Sequence, residues 1–291
     1  MYHLLYGFLY LLSLLPFWAL YGISDFAYLI LYKFIGYRKE VVLNNLLIAF
    51  PEKTEEERKQ IANEFYGNLC DSFLETVKMI SMSDAAFAKR LTGNFEVLNE
   101  LFKTGISVHL HSGHFFNLEY MNWGVPRNTS FTTLGVYMPV SNKIFDRLML
   151  KIRRRYNSVM LSAFTFRTTF HQYKNNQYLL ELAADQAGYP PTGYWVPFFG
   201  KLAPFVTGPE KSSRLNNTAV VFVHFYKVKR GFYKADFSLI TKAPRETVRG
   251  ELTKIYVKYL EDCIRKTPAN YLWSHRRWKW NYDEQYKKNL I

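Results

Sequence analysis

The sequence predicts an α/β fold in which helices cover a mixed, mostly parallel β-sheet. Through the middle of the chain, short runs typical of strands alternate with runs of helical period, which favours parallel strands joined by helices. A longer pair of strand-like runs follows and adds an antiparallel hairpin. Hydrophobic residues form 48% of the 291 residues, enough to bury a sizeable core.

The first element is an apolar N-terminal segment. Residues 4–23, LLYGFLYLLSLLPFWALYGI, have the length of a helix that crosses a bilayer, so we expect one membrane helix within an anchor of residues 1–37. A buried helical hairpin in a soluble domain is the alternative, and a cleaved signal peptide is less favoured because the start lacks a basic region. The body, residues 38–291, is expected on the cytoplasmic side, because basic residues gather just after the segment at Arg38, Lys39, Arg58 and Lys59.

Two helices and then an alternating region are expected next. Residues 41–50 form a short helix, and Thr54 is a suitable N-cap for a long amphipathic helix that extends to Met82. The expected strands are 106–111, 130–137, 158–162 and 178–185, with helices at 141–156 and 167–175. Residues 219–229 and 232–240 are expected to form a hairpin that turns at Arg230-Gly231, and 245–266 the last helix.

The charge balance indicates acidic partners. The formal net charge is +14, which favours phospholipid headgroups, an acidic carrier protein or nucleic acid. Nucleic acid is the weaker class, since the chain has neither zinc-finger spacing nor an RNA-recognition signature. Cys70 and Cys263 are far apart, so we expect no disulfide framework, a reducing compartment and no thiolate metal site.

The run HLHSGHFFNLEY, which starts at His109, is the main candidate for chemistry. A strand that ends in Ser-Gly before a helix lies where α/β sheets bind ligands. On a regular helix His114 and Glu119 would point about 140° apart, so they can meet only if His114 lies in the loop. A carboxylate beside His114 would orient the imidazole as a general base for a hydroxyl. Metal binding by His109, His111 and His114 is the alternative, although no further ligand lies nearby in sequence.

Four blocks carry a resemblance to a known family: HSGHFFNLEY (111–120), VYMPVSNKIFDRLMLKIRRRY (136–156), ADQAGYPPTGYWVPFFGKLAPFVTGPEK (184–211) and TPANYLWSHRRWKW (267–280). The chain resembles the late, or secondary, lipid A biosynthesis acyltransferases, within the lysophospholipid acyltransferase-like group. The resemblance covers nearly the whole chain and implies a glycerolipid-acyltransferase-like fold. It also implies an acyl-carrier-protein thioester as donor, a lipid hydroxyl as acceptor, the inner membrane as location, and no cofactor or metal.

The same resemblance suggests roles for individual residues. His114 is the expected base and Glu119 the group that orients it, while Asn117 matches an Asn that is frequent in the family. Asp185 and Gln186 match an Asp-Gln pair that we expect to shape the site. Many family members carry an Arg where this chain has Met138, which puts the oxyanion donor in doubt; the candidates to replace it are Arg147 and Arg153.

Three further cations are candidate substrate-binding residues. Lys211 lies near an expected helix start, where backbone N–H groups and charge together could hold an anion. Arg276 and Arg277 lie among tryptophans in the tail, a composition that suits a lipid headgroup interface. The run Lys151 to Arg155 could contact an acidic carrier. A solvated surface is the alternative for each.

Three functions remain open on the sequence alone. The favoured one is a membrane-bound acyltransferase acting on a lipid A precursor or related envelope lipid. The second is a thioesterase or lysophospholipase that uses the same base with water. The third is an inactive, membrane-anchored lipid-binding protein, which the absence of an Arg at Met138 keeps open.

Overall fold

The computed structural model describes residues 1–291, and its helices and strands alternate from Leu91 to Ala183. The α-helices are Tyr2–Leu14 (α1), Phe17–Tyr28 (α2, continued by a π-helix over Leu29–Ile35), Lys39–Ala49 (α3), Glu55–Lys78 (α4), Asp84–Ala88 (α5), Glu96–Lys103 (α6), Leu118–Asn128 (α7), Lys143–Arg153 (α8), Phe166–Thr169 (α9), Gly208–Asn216 (α10) and Glu251–Lys266 (α11). The strands are Leu91–Gly93 (β1), Val108–Ser112 (β2), Thr132–Tyr137 (β3), Val159–Ser162 (β4), Tyr178–Ala183 (β5), Tyr194–Phe198 (β6), Lys201–Phe205 (β7), Ala219–Lys229 (β8) and Phe232–Thr241 (β9).

Seven strands form the central sheet, in the order β1-β9-β8-β2-β5-β3-β4. Every pairing is parallel except that of β8 with β9, which form the expected hairpin. The prediction of a mixed, mostly parallel sheet is therefore confirmed. Strands β6 and β7 form a separate antiparallel pair, which the sequence analysis did not predict.

Helices cover both faces of this sheet, and the residues of β8 show it. Val220 and Phe222 belong to a core cluster that includes residues of α3, α4 and α11, whereas Val221 and Val223 belong to a second cluster with residues of α6 and α7. Alternate side chains of one strand thus enter different cores. This explains why β2 and β8 are near-continuous buried runs rather than alternating ones.

The N-terminal segment is not the single helix that we expected. Helix α1 ends at Leu14 and α2 begins at Phe17, and the two are bent by 114°. Pro16 explains the break, because proline lacks an N–H and is tolerated best at a helix start. No single helix is long and apolar enough to cross a bilayer; only the bent pair, Tyr2–Leu14 with Phe17–Ile35, has that length and composition.

Both N-terminal helices pack against α4, which also supports the break between them. The Lys78 ammonium donates to the carbonyls of Ser13 and Leu15 at 2.7 and 2.8 Å, so the last carbonyls of α1 do not lack partners. The start of α4 is as expected. Thr54 and Glu57 form a reciprocal capping box there.

Candidate active site

The candidate site forms where β2 and β5 end side by side. The strands are parallel neighbours with Ser112 opposite Ala183, so the residues that follow each strand emerge at the same sheet edge. His114 follows β2 after Gly113. A Cβ atom on Gly113 would lie 2.6 Å from a methyl of Leu260, so a larger residue would have to displace the packing against α11.

Asp185, which follows β5, holds His114 by two hydrogen bonds. Its Oδ2 accepts from the His114 backbone N–H at 2.9 Å, and its Oδ1 lies 2.5 Å from the ring Nδ1. On the other side of the ring, the Gln186 amide nitrogen lies 3.3 Å from Nε2. The backbone of Leu272 donates to the His114 carbonyl at 2.9 Å, which fixes the loop. The imidazole is therefore held in one orientation, with Nε2 directed away from Asp185.

The electrostatics of this pair suit a general base. Burial alone would raise the pKa of Asp185, but the charge and hydrogen bonds of His114 outweigh it and lower that pKa to about 2. Burial would lower the pKa of His114, yet the Asp185 carboxylate outweighs this and raises it above its ordinary value. An ionised Asp185 keeps the proton on Nδ1, which leaves Nε2 free to take a proton from a substrate.

Glu119 does not orient His114, contrary to the sequence prediction. Its carboxylate forms a bidentate pair with the Arg153 guanidinium, with N–O distances from 2.5 to 3.1 Å. Glu119 lies in the first turn of α7, where its side chain reaches the end of α8 rather than the loop that carries His114. The orienting carboxylate comes instead from Asp185, which the sequence analysis assigned only to shaping the site.

Asn117 supports the site from the interior. It is the residue before α7, with a left-handed backbone (φ 62°), a conformation that Asn adopts more readily than most residues. Its amide donates to the Glu75 carboxyl at 2.5 Å, and that carboxyl also accepts from the hydroxyls of Tyr233 and Tyr21. Burial raises the pKa of Glu75. The amide of Asn117 thus makes a structural contact that fixes how α7 begins, and Asn117 also lines an apolar cavity described below.

A cavity of about 500 Å³ opens beside His114. Its polar lining comes from Ser112, His114, Glu119, Asn122, Tyr137, Arg153, Glu181 and Gln186. Met138 also lines it and is largely exposed, and Arg153 is the only guanidinium there, already paired with Glu119. Arg147 is elsewhere. It lies over the Tyr2 ring at 4.2 Å, in a separate basic cavity between α1 and α8.

A second cavity of about 460 Å³ adjoins the first and is mainly apolar. The two share Leu118 and Glu119 in their linings. The apolar cavity is enclosed by residues of α1, α4, α7 and α8, among them Leu9, Leu12, Phe73, Val77, Phe145, Leu148 and Met149. An alkyl chain could therefore lie in one cavity while a polar group occupies the other, beside His114.

The remaining predicted cations do not reach these cavities. Lys211 is exposed on α10, and Arg276 is exposed in the tail. Arg277 is 1% exposed, donates to the Pro204 carbonyl at 3.1 Å and lies over the Phe205 ring at 3.9 Å. Burial lowers the pKa of Arg277. With Trp273 and Trp278 also buried, this part of the tail is core and not the expected headgroup interface.

Two histidines and one glutamate are further buried titratable groups near the site. His109 and His111 lie inside the sheet, where burial lowers each pKa to about 3 and keeps the rings neutral. Glu181 on β5 was missed by the sequence analysis. The sequence could have indicated it, because Glu181 is the one acidic residue in the otherwise apolar strand YLLELA.

Comparisons with known proteins agree with the resemblance. A family model described as bacterial lipid A biosynthesis acyltransferase matches residues 1–280. The lipid A biosynthesis lauroyltransferase of Escherichia coli (strain K12) is 25% identical over 280 residues, covering 94% of this chain and 89% of the relative. The lipid A biosynthesis palmitoleoyltransferase of the same strain and a lipid A biosynthesis acyltransferase of Shigella flexneri are each 25% identical over 256 residues, covering 84% of this chain and 80% of the relative.

Proposed function

The chain belongs to the bacterial lipid A biosynthesis acyltransferase family and is an acyltransferase, and we propose that it moves a fatty acyl chain from an acyl-carrier-protein thioester to a hydroxyl of a lipid A precursor or related envelope lipid. The observation that carries the chemistry is the contact of Asp185 with Nδ1 of His114. It leaves an unprotonated Nε2, next to the Gln186 amide, at the mouth of a cavity large enough for part of a lipid.

The proposed reaction is one addition followed by one elimination. Nε2 of His114 takes the proton of the acceptor hydroxyl as its oxygen attacks the thioester carbonyl. The tetrahedral intermediate then collapses, the C–S bond breaks, and the thiolate receives the proton from the imidazolium. Asp185 stabilises that imidazolium and stays ionised throughout. The product is an ester and the carrier thiol, so the step needs no oxidant or cofactor.

Gln186 is the proposed donor to the oxyanion. Its amide nitrogen lies 3.3 Å from Nε2 of His114, next to the position of the attacking oxygen. A donor aimed at developing negative charge is worth about 10²–10³-fold in rate. This assignment fills the role left open by Met138, because Arg153 is engaged by Glu119 and Arg147 is outside the cavity.

The donor and its acyl chain are proposed to approach along α8. The apolar cavity beside Leu148 and Met149 suits the alkyl chain. One exposed edge of α8 is basic and lies next to α1; its cations are Lys143, Arg147, Lys151 and Arg154. That charge fits an acidic carrier protein, and it would steer the carrier by long-range attraction that weakens at high salt.

The N-terminal helices are proposed to bind the inner membrane, with the catalytic body on its cytoplasmic face. They expose a set of large apolar side chains that includes Leu4, Phe8, Leu11, Trp18, Phe26 and Phe34, and α4 adds Phe73. Exposed patches of this kind on soluble monomers are rare and mark interaction surfaces. The same α1 residues Leu9 and Leu12 that line the apolar cavity place that cavity beside the proposed membrane face.

The test of the chemistry is acyl transfer in membranes that contain the protein. Labelled acyl-carrier thioester would be offered with a panel of acceptor lipids, and the products analysed by mass. We expect a new acylated lipid with the wild type and a rate lower by about 10²–10⁴-fold for His114→Ala. His171→Ala, at an exposed histidine on the 3₁₀ turn after α9, is the matched control and should leave the rate unchanged.

Two other outcomes would overturn this proposal. Release of free fatty acid with no acylated lipid on any acceptor would identify a hydrolase. A wild-type rate equal to that of His114→Ala, with lipid binding retained by both, would identify a binding protein without catalytic function.

The test of membrane binding is flotation with vesicles of anionic phospholipid. The Leu11→Ser and Trp18→Ser variants should each bind about tenfold more weakly, because each removes a large apolar side chain from the lipid interface. Leu215→Ser, at an exposed leucine on α10, is the control and should bind as the wild type does. If all three variants bound the vesicles as tightly as the wild type, the membrane surface would lie elsewhere on the protein.

A further inference from the structure

Two residues that line the cavity beside His114 each have a buried side-chain oxygen without a hydrogen-bond partner. Glu181 is 8% exposed and Asn122 is 9% exposed, and both line the cavity. Oε1 of Glu181 and Oδ1 of Asn122 accept no hydrogen bond from the protein. The only hydrogen bond of the Asn122 side chain is a weak one, from its amide to the Met160 sulfur at 3.6 Å.

The position of Glu181 makes this arrangement unusual. It lies in the middle of β5, opposite Leu110 on β2 and Gly135 on β3, where apolar side chains surround it along the strand. A buried polar group without a partner destabilises a fold, and leucine at this position would avoid that loss. Glu181 therefore has no structural reason to be polar, and a bound ligand is the partner that its position allows.

We propose that Glu181 and Asn122 form a subsite that binds a neutral hydrogen-bonding group of the acceptor, an amide or a hydroxyl next to the hydroxyl that is acylated at His114. The inference rests on the proposed function, since it describes how the same cavity selects its acceptor. Glu181 and Asn122 then set the acceptor specificity, whereas His114 and Asp185 supply the chemistry.

The charges around the cavity favour a neutral group over a phosphate. The titratable groups that face it are His114 from the β2 loop, Glu119 from α7, Tyr137 from β3, Arg153 from α8 and Glu181 from β5, with Asp185 behind His114. The only guanidinium is paired with Glu119, so a phosphate would find no free guanidinium and would lie near the ionised Asp185.

Glu181 itself is suited to a partner that both donates and accepts. Burial, and then the charge of Glu119, raise its pKa to about 8, so the carboxyl is mostly protonated at neutral pH. A protonated carboxyl offers one O–H donor and one carbonyl acceptor, which an amide or hydroxyl can match. A saturated alkyl chain would leave Glu181 and Asn122 without partners, and the adjoining apolar cavity is the better place for it.

The experiment compares three amphiphilic acceptors that share one β-hydroxyalkyl chain. The first is the N-butylamide of β-hydroxymyristic acid and the second is its butyl ester. The third is the corresponding amino alcohol, which ends in CH2–NH2 instead of the acyl carbonyl. The amide and the ester differ by one N–H donor. With the wild type we expect kcat/KM for the amide to exceed that for the ester by about tenfold, the size of one hydrogen bond to a built site. The amine should be the poorest acceptor of the three.

Two variants then separate the role of Glu181 from damage to the fold. In Glu181→Leu the amide-to-ester ratio should fall to about one, while the control His171→Ala, at the exposed histidine outside the cavity, should keep the wild-type ratio. In Glu181→Gln, which keeps a donor and an acceptor, the ratio should stay within about threefold of the wild type. The amide KM of the wild type should rise above about pH 8 as Glu181 ionises, and that of Glu181→Gln should not.

A second readout does not depend on acyl transfer. In detergent without donor, the amide should raise the Tm of the wild type and of Glu181→Gln, but not that of Glu181→Leu. An unchanged amide-to-ester ratio and an unchanged Tm response in Glu181→Leu would overturn the inference even if transfer occurs. A preference for the amine that is lost in Glu181→Gln would overturn it too, in favour of an ammonium site. Absence of transfer to any lipid, with the Tm responses as expected, would count only against the proposed function.

Discussion

Asp185 and Glu119 are two carboxylates beside one cavity, and they differ in what they contact. Asp185 is 2% exposed and bonds the imidazole and backbone of His114, whereas Glu119 is partly exposed and bonds the Arg153 guanidinium. The partner decides the role of each. A carboxylate on a titrating imidazole changes the basicity of that ring, while a carboxylate on a permanently charged guanidinium fixes the position of a cation.

The largest expected effect is that of Asp185→Asn. An amide at this position can donate to Nδ1, which would put the imidazole proton on Nε2 and remove the base. We expect kcat to fall by about 10²–10⁴-fold with little change in acceptor KM. Steady-state transfer assays on purified protein check this, with circular dichroism to verify folding. A fall of less than threefold would show that the contact with His114 has no part in catalysis.

Glu119→Gln should have a smaller and different effect. It weakens the hold on Arg153 at the cavity wall, so we expect acceptor KM to rise about tenfold while kcat changes less than threefold. Arg153→Gln should behave alike, and the double variant should be little worse than either single one because the residues are directly coupled. If kcat of Glu119→Gln dropped as far as that of Asp185→Asn, Glu119 would take part in catalysis and would not only position Arg153.

The pH profile sharpens the comparison further. His114 must be neutral to act as a base, and Asp185 raises its pKa above the ordinary value, so activity should fall as pH decreases through a value above 6.5. In Asp185→Asn the raising interaction is gone and burial still lowers the pKa, so the acid limb of the residual activity should move to lower pH. In Glu119→Gln the limb should stay in place. The measurement is kcat/KM against pH for the three proteins.

The smallest expected effect on the reaction rate is that of Asn117→Gly, at the residue before α7. Asn117→Gly keeps the left-handed backbone but removes the amide that bonds Glu75. Loss of a partner for a buried carboxyl should lower the free energy of unfolding by about 1–3 kcal/mol, with kcat reduced less than tenfold. Denaturant unfolding followed by fluorescence measures the first quantity. Unchanged stability would mean that the Glu75 contacts do not hold the start of α7.

Much of the fold was predictable because its signals are local. The hairpin of β8 and β9, the strands β2 to β5, the helix α8 and the Thr54 N-cap of α4 follow from period, turn residues and N-cap chemistry, and the structure has them close to the expected bounds. The short strands β1, β6 and β7 were missed. Proline and glycine within 188–209 made that region look like loop, and β6 and β7 pair only with each other.

The N-terminal segment and the tail show where composition misleads. Both are rich in aromatic residues, yet α1 and α2 expose many of theirs, while Trp273, Arg277 and Trp278 are buried. Composition predicted one membrane helix for the N-terminal segment and a lipid headgroup interface for the tail. The bend at Pro16 and the stacking of Arg277 on Phe205 depend on packing against α4 and β7, which no local pattern reports.

The sequence by itself determined the α/β architecture, the identity of His114 as the candidate base and the family resemblance, because periodicity and contiguous motifs express all three. Only the tertiary structure decided that Asp185 and not Glu119 holds that base, that Arg153 is already paired, and that Glu181 faces the cavity. His114 and Asp185 are far apart in sequence and meet because β2 and β5 are parallel neighbours. Strand order is set by the packing of the whole sheet, so contacts at its carboxyl edge cannot be inferred from spacing along the chain.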